Sequence, residues 1–187
     1  DQKHDRVIFF FNKARKLIYN DVRKFGFIKF LDQKNYKDNF HLKNLGPEPL
    51  EKKFDSKYFI KNIKGKNRVI KDLLMDQKFV SGIGNIYANE ILFFSQVKPM
   101  RKVKNLKEFE IKNIIKYTKK ILENSIKLGG SSIKDFSSSD GKKGLFQQHF
   151  SVYGKKGESC FNDKCKRKIA KSSISNRATF FCSNCQK

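Results

Sequence analysis

The sequence predicts an α+β protein that begins with short strands, continues as helices and ends in a metal-bound β-hairpin. β-type runs before residue 32 and helical periodicity between residues 68 and 128 predict the first two parts. Four cysteines in two close pairs near the end predict the third. With 187 residues, 38% of them apolar, the chain is long enough to bury the core of one domain or of two small ones.

The first part is predicted to be half of a β-sheet. Residues 7–11 and 16–19 are β-type runs on either side of a turn-like tetrad, and residues 25–31 alternate as a third strand would. Three strands that start this early would leave a hydrophobic sheet edge open. We therefore expect strands that precede residue 1 to be missing from the chain.

The turn between the second and third predicted strands, residues 20–26, has an unusual tip. Asp21 and Gly26 stand near its ends, and Arg23, a second cation and Phe25 occupy the tip. A solvated turn with Phe25 packed into the core is the simplest interpretation of such a sequence.

The middle of the chain changes from a linker to helices. Residues 32–66 are polar and mixed, and Pro47 and Pro49 forbid a helix across them, so we expect an ordered linker with a domain boundary. From residue 68 apolar residues recur at helical spacing. The pattern breaks at residues 81–85, and a second helix is predicted at residues 86–94.

The break between these helices contains two glycines and an asparagine. Gly82 and Gly84 permit backbone geometry that side chains would block, and Asn85 is a good N-cap for the following helix. A helix start with exposed amides, a glycine-rich approach and nearby cations is typical of phosphate binding. An ordinary helix-turn-helix that is packed for stability is the alternative.

A third and longer helix is predicted at residues 106–128, ending at Gly129 and Gly130. Seven residues define its inward face: Ile111, Ile114, Ile115, Thr118, Ile121, Leu122 and Ser125. The polar stretch that follows, residues 131–144, is longer than a simple connection requires. Loops of that length are commonly functional, so we expect a role for this one.

The cysteine pairs predict a structural zinc site. Its ligands would be Cys160, Cys165, Cys182 and Cys185, and the residues between the pairs suffice for two short strands and a bend. So few apolar residues lie in this segment that it could hardly fold without the metal. Five cations lie between the pairs: Lys166, Arg167, Lys168, Lys171 and Arg177. Two disulfides are the alternative, although nothing in the sequence indicates secretion.

The charge of the chain predicts a polyanionic partner. Lysine and arginine number 42 against 18 aspartates and glutamates, which gives a net charge of +24. A membrane surface is an alternative, but no apolar run approaches the ~20 residues of a spanning helix. A basic ribosomal or chromatin-like protein is a further alternative. We expect a cytoplasmic protein, and a monomer.

Six separated blocks of the sequence, in order, resemble the bacterial formamidopyrimidine-DNA glycosylases. They are residues 20–26, 45–50, 74–78 with 82–90, 129–144, 152–158 and 177–186. The resemblance implies the end of an N-terminal β-sandwich and a linker in residues 1–50, and a helix-two-turn-helix DNA-binding domain in residues 51–150. It also implies a lesion loop at residues 131–144 and a zinc finger in residues 151–187.

This resemblance implies base-excision repair of nucleoid DNA. Enzymes of the family remove 8-oxoguanine and formamidopyrimidines from damaged double-stranded DNA, and then cut the abasic strand by elimination. Such an enzyme must extrude the damaged nucleotide and fill the space that it leaves. The turn at Arg23 and Phe25 resembles the family's void-filling loop, with Arg23 bonding the orphaned cytosine and Phe25 wedged beside it. The family's usual proline and second arginine are replaced here by Val22 and Lys24.

The resemblance also assigns DNA contacts in the rest of the chain. Lys71, Asn85 and Arg177 match residues that grip the phosphates beside the flipped nucleotide, and Tyr153 matches another phosphate contact. Lys134 takes the lesion-facing position in the loop. In the finger, the first cysteine pair has four intervening residues where the family usually has two. Spacings of two to four residues are all compatible with zinc.

The largest departure concerns the nucleophile. The family uses an N-terminal proline amine followed by a glutamate, whereas this chain begins Asp1-Gln2-Lys3-His4. We therefore expect no catalytic residue in this chain, and no covalent complex with 8-oxoguanine DNA after borohydride treatment. Two other functions stay open from the residues alone. One is an endonuclease VIII-type glycosylase of oxidised pyrimidines, and the other is a non-catalytic zinc-ribbon nucleic-acid-binding protein.

Overall fold

The computed structural model describes residues 3–131 and 144–187, and the chain divides into two units, Asp1–Lys43 and Asn44–Lys187. Both units combine short helices with a two-stranded sheet, so the predicted α+β class is confirmed. Across the described residues, no helix has both the length and the apolar character needed to cross a bilayer.

The first unit is built on one β-hairpin. Strands β1 (Asp5–Phe10) and β2 (Lys16–Asn20) pair in antiparallel fashion, close to the two predicted runs. Lys13 and Ala14 adopt positive φ values of 66° and 57°, which lets the chain reverse within the loop. A short α-helix, α1 (Phe40–Lys43), ends the unit.

The third strand predicted at residues 25–31 is wrong. These residues have no regular secondary structure, and the sheet of this unit contains only β1 and β2 among the described residues. Phe25, Phe27 and Phe30 are 77%, 64% and 87% exposed. Alternation of apolar residues gives a segment one hydrophobic face, but a strand also requires a neighbour for its N–H and C=O groups. Among the described residues of this unit, no strand lies beside residues 25–31.

The second unit contains a helix inside the predicted linker. Helix α2 (Ser56–Ile63) begins at Asp55, whose carboxylate accepts a hydrogen bond of 2.7 Å from the Tyr58 N–H. Phe59 and the preceding Phe54 are fully buried. The interpretation of residues 32–66 as a linker was wrong here, because Asp55 and the apolar spacing that follows form a complete helix start.

Two further helices lie on either side of the glycine turn. Helix α3 (Ile70–Leu74) is shorter than the apolar pattern suggested, since the chain turns before Phe79, which is nonetheless buried. Helix α4 (Asn85–Phe94) has Gly84 as its N-cap, so the prediction of Asn85 as the cap is wrong. The Asn85 side chain donates to another segment instead.

Helix α5 (Glu108–Lys127) matches the predicted long helix, and it packs against α2 and α4. Its buried face contains six of the seven predicted inward residues, and Leu122 is half-buried. The Lys107 N–H donates to the Glu110 carboxylate at 2.8 Å, which satisfies one free amide at the helix start.

The chain ends in a second antiparallel hairpin, formed by β3 (Ala170–Ile174) and β4 (Arg177–Phe181). Ser175 and Asn176 close it with positive φ values of 48° and 58°. The hairpin lies between the two cysteine pairs, as predicted. A small apolar cluster beneath it combines three cysteines with Phe93, Val152, Ile169 and Phe180.

Candidate nucleic-acid interface

One backbone carbonyl in β4 joins three predicted DNA-contacting segments. The Ala178 carbonyl accepts hydrogen bonds from Lys71 Nζ at 3.0 Å and from Asn85 Nδ2 at 3.1 Å. Lys71 Nζ also donates to Thr179 Oγ1 at 2.7 Å. Arg177, the third predicted phosphate contact, directly precedes this carbonyl and is exposed. The structure therefore brings Lys71, Asn85 and Arg177 together.

The charge of Lys71 is buried at this junction. The residue is only 1% exposed, and burial lowers its pKa to about 8. Asp72 raises this pKa in opposition, whereas the positive charge of Arg177 lowers it further. A bound anion would reduce the repulsion between the two cations. The Oδ1 atom of Asn85 is also buried, and no described residue donates a hydrogen bond to it.

Two buried polar residues of α4, which sequence reasoning missed, hold the surrounding segments in place. Asn89 Oδ1 accepts from the Phe180 N–H at 2.7 Å, and Asn89 Nδ2 donates to the Asn85 carbonyl at 2.6 Å. The Glu90 carboxylate accepts from the N–H groups of Ser151, Val152 and Tyr153 at 2.9, 3.0 and 2.8 Å. The signal was available, because these two adjacent polar residues are followed in the helix only by apolar ones.

The environment of Glu90 raises the pKa of its carboxyl group. Burial is the dominant cause, and it outweighs the three backbone donors and the nearby charge of Lys155, which act in the opposite direction. Glu90 thus ties residues 151–153 to α4 through a buried carboxylate.

Tyr153 lies against the same hairpin. Its ring is half-buried and meets the ring of Phe180 edge to face at 5.2 Å, with Phe150 at 5.6 Å on another side. Tyr153 and Arg177 are therefore both supported by strand β4 and its neighbours.

The turn at residues 20–26 in the first unit is ordered by one carboxylate. Asp21 accepts from the N–H groups of Arg23, Lys24 and Gly26 at 3.0, 2.9 and 2.8 Å. These bonds, with that of Gly26 the largest cause, lower the pKa of Asp21 against the opposing effect of desolvation. A Cβ atom on Gly26 would lie 1.5 Å from the Tyr19 hydroxyl oxygen, so any other residue there would displace the end of the Tyr19 side chain.

The tip of this turn presents Arg23 and Phe25 as a pair. The Arg23 guanidinium lies 4.7 Å from the centre of the Phe25 ring. Phe25 is largely exposed, so the interpretation that packs it into the core is wrong. Lys134 falls within residues 132–143, outside the described part of the chain, and so does most of the predicted lesion loop.

The four predicted metal ligands form one cluster. The sulfur atoms of Cys160, Cys165, Cys182 and Cys185 all lie within 4.8 Å of one another. Cys160 Sγ and Cys185 Sγ are 3.8 Å apart, and Cys165 Sγ and Cys182 Sγ are 3.7 Å apart. These separations exceed a disulfide bond of about 2.05 Å. All four cysteines are free, so the alternative of two disulfides is wrong in this structure.

Comparison with known proteins identifies relatives along the whole chain. Residues 45–137 match the family described as the formamidopyrimidine-DNA glycosylase H2TH domain. The formamidopyrimidine-DNA glycosylase of Rickettsia canadensis is 40% identical over 185 residues, which cover 99% of this chain and 67% of that protein. The corresponding enzyme of Listeria monocytogenes is 42% identical, with the same coverage.

Solved structures give the same result. The MutM (Fpg) protein of Thermus thermophilus is 34% identical, with a TM-score of 0.91, over 100% of this chain and 70% of that one. Lactococcus lactis Fpg in complex with abasic-site DNA is 37% identical, with a TM-score of 0.91, over 100% and 68%. At this identity and coverage, the chain belongs to the formamidopyrimidine-DNA glycosylase family.

Proposed function

We propose that this chain provides the binding of damaged double-stranded DNA in a base-excision repair enzyme, a DNA glycosylase and AP lyase that acts on oxidised purines such as 8-oxoguanine and formamidopyrimidines. The observation that carries the proposal is the convergence of Lys71, Asn85 and Arg177 at the Ala178 carbonyl. Family membership supports it. So do the related Lactococcus lactis proteins, which were solved with abasic-site DNA and with Fapy-dG DNA.

In this proposal the DNA backbone binds at β4. Arg177 and Tyr153 donate to phosphates from the protein surface, and Asn85 lies at the start of α4, where free amides also favour an anion. Lys71 contributes indirectly. Its buried ammonium group holds the β3–β4 hairpin in place and adds positive charge below the DNA-binding surface. Contacts of this kind fix the bend of a strand without reading its sequence.

The exposed turn of the first unit fills the space left by the extruded nucleotide. Phe25 offers an aromatic face for stacking, and the Arg23 guanidinium offers a fork of donors to the orphaned cytosine. Asp21 keeps both residues at the tip by ordering the backbone of the turn. The assignment of Lys134 to the lesion-facing position stays a prediction.

The four cysteines fit a structural Zn²⁺ ion. Sulfur atoms about 2.3 Å from a central zinc define a tetrahedron with edges of about 3.8 Å. The pairs Cys160–Cys185 and Cys165–Cys182, at 3.8 and 3.7 Å, fit this geometry. When bound, the metal supplies a cross-link between the two ends of the hairpin. The predicted zinc finger at residues 151–187 would depend on it.

The other two functions are less favoured. An endonuclease VIII-type enzyme would handle oxidised pyrimidines, whereas the relatives found for this chain are named formamidopyrimidine-DNA glycosylases. A non-catalytic zinc-ribbon protein would not require a pre-ordered turn with exposed Arg23 and Phe25. The domain limits of 1–50, 51–150 and 151–187, and the monomeric state, stay predictions.

Fluorescence anisotropy with matched duplexes tests the proposal. We expect a duplex with a tetrahydrofuran abasic analogue to bind at least about tenfold more tightly than the undamaged duplex. Arg177→Ala should weaken this binding by about tenfold and reduce the slope of log K against log salt by about 1. Arg167→Ala removes the same charge from the same finger and should have a much smaller effect.

Two outcomes would contradict the proposal. Equal affinity for abasic and undamaged duplexes would indicate a general nucleic-acid-binding protein. Tighter binding of a thymine-glycol duplex than of an 8-oxoguanine duplex would indicate the endonuclease VIII type. Both comparisons use the same protein and the same anisotropy assay, with a different pair of duplexes in each.

A further inference from the structure

The connection inside the first cysteine pair is an ordered turn. It contains four residues, whereas the family usually has two. The Cys165 N–H donates to the Asn162 carbonyl at 2.7 Å, and the Lys164 N–H donates to Asn162 Oδ1 at 3.2 Å. Phe161 attaches the connection to helix α4, because its ring meets the Phe94 ring edge to face at 6.1 Å. The additional residues are therefore held in place.

This turn directs the amide group of Asn162 across the cysteine cluster. While its oxygen accepts from the Lys164 N–H, Asn162 Nδ2 donates to Cys185 Sγ at 3.7 Å. Hydrogen bonds to sulfur are longer than those to oxygen because the sulfur atom is larger. Cys185 belongs to the second cysteine pair. A side chain from the first pair thus supports a sulfur atom of the second.

The second pair makes the same kind of contact in return. Asn184 lies inside the second pair, and its Nδ2 atom donates to Cys165 Sγ at 3.5 Å. Backbone donors act within the first pair's own segment instead. The N–H groups of Asn162 and Arg167 donate to Cys160 and Cys165, respectively. The two asparagine side chains therefore form reciprocal contacts between the pairs.

Such donors matter at a site with four thiolates. Four cysteine thiolates carry more negative charge than one Zn²⁺ ion neutralises. An N–H group that points at a sulfur stabilises the excess charge and fixes the direction of the ligand. The loss of a group that supports a metal ligand commonly lowers metal affinity by about 10–100-fold.

We propose that Asn162 and Asn184 are positioning residues for the metal site, each donating an N–H to a thiolate of the opposite cysteine pair. The inference rests on the proposed zinc site. Together the two side chains hold the pairs around the ion, and the longer first connection gains a use because its turn supplies the Asn162 donor. Without these donors the four cysteines still bind zinc, but more weakly and with faster release.

Zinc affinity tests this role, measured in the full chain by competition with a chromogenic chelator. Asn162→Asp and Asn184→Asp keep the size of each side chain and remove its N–H donors at neutral pH. Asn162→Asp also keeps an acceptor for the Lys164 N–H. Ser183→Asp, at an exposed position beside Asn184, adds the same charge and removes neither asparagine donor. Each asparagine variant should weaken zinc binding by about tenfold, and Ser183→Asp by less than about threefold.

Cobalt substitution provides a readout that a purely structural role would not change. The thiolate-to-metal charge-transfer band of the Co²⁺-loaded protein should move to longer wavelength in both asparagine variants, because the sulfur electrons are held less tightly without the N–H donors. Ser183→Asp should leave the band in place.

Two results would overturn the inference while leaving the zinc site intact. One is wild-type zinc affinity and an unchanged cobalt band in both asparagine variants. The other is an equal loss of affinity in Ser183→Asp, which would make charge alone the cause. A wild-type chain that binds no zinc would overturn the proposed metal site together with this inference. None of these measurements uses DNA, so the proposed DNA binding is tested separately.

Discussion

Lys71 illustrates how one residue can serve both the fold and the proposed interface. Its side chain is buried, yet it donates to two acceptors on β4, so its polar group is satisfied. Its pKa of about 8 lies below the ordinary lysine value of 10.5 because burial disfavours the charged form. At neutral pH the residue is mostly charged and next to the cation Arg177.

This lowered pKa predicts a pH dependence of stability. Between about pH 8 and pH 10.5 the unfolded chain binds a proton at Lys71 that the folded chain has released, so this residue's contribution makes stability rise with pH. We expect wild type to gain on the order of 2 kcal/mol more than Lys71→Met across this window. Urea unfolding of both proteins at pH 7.5 and pH 10 measures the difference. Equal gains in both would show that Lys71 titrates normally.

The structural elements differ in how well the sequence predicts them. Helix α5 was predicted almost completely, because its inward residues recur on one face over about four turns and tertiary packing uses that same face. Helix α2 was missed although its apolar residues recur on one face, because it has only eight residues and lies in a stretch whose prolines and polar composition indicated a linker. Residues 25–31 alternate as a strand would, but no strand lies beside them in the described part of their unit.

The candidate site was predictable in its residue types but not in its connections. The cysteine spacing was sufficient to identify the cluster of four cysteines, since residues at such spacing converge with little help from other elements. In contrast, the role of Glu90 depends on amides that lie about sixty residues further along the chain. No local pattern reveals a partner at that distance. The inward direction of the Lys71 ammonium group was unpredictable for the same reason.

Neutralising Glu90 should weaken the hydrogen bonds that attach residues 151–153 to helix α4. Glu90→Gln keeps the size of the side chain but leaves one oxygen for three N–H donors and adds an amide donor among them. We expect a loss of about 2–4 kcal/mol in the free energy of unfolding. Glu123→Gln on the exposed side of α5 should change it by less than about 0.5 kcal/mol.

Chemical denaturation of both glutamate variants gives these values, and abasic-duplex affinity provides a second readout. Because Glu90 holds the backbone of Tyr153, Glu90→Gln should also weaken the proposed DNA binding under conditions where the protein is fully folded. Unchanged stability and unchanged affinity would show that the three hydrogen bonds contribute nothing.

At the scale of the whole molecule, the proposed metal links local folding to DNA binding. The cluster beneath the hairpin is small, and three of its seven buried members are cysteines. A core of this size gives two strands little stability in water, so the proposed metal cross-link should contribute much of it. The remaining core of the second unit, around Phe54, Leu73 and Ile91, does not include the cysteines.

Removal of the metal should therefore unfold the finger and leave the helices folded. We expect one zinc ion per chain, and its extraction with a chelator under mild denaturant should abolish amide protection in β3 and β4 while α4 and α5 stay protected. Abasic-duplex affinity should fall by at least about tenfold, and added Zn²⁺ should restore it. Hydrogen exchange and metal analysis measure both effects. Full protection of β4 in metal-free protein would contradict this expectation.

The double hydrogen bond at the Ala178 carbonyl has a kinetic consequence. Lys71 and Asn85, from two separate helices, already fix the hairpin at Ala178. The hairpin therefore loses little conformational entropy when a DNA strand binds to it. Removing these two hydrogen bonds would leave every phosphate-contacting side chain in place. Complexes with DNA would nevertheless dissociate sooner, because each binding event would have to immobilise a mobile hairpin.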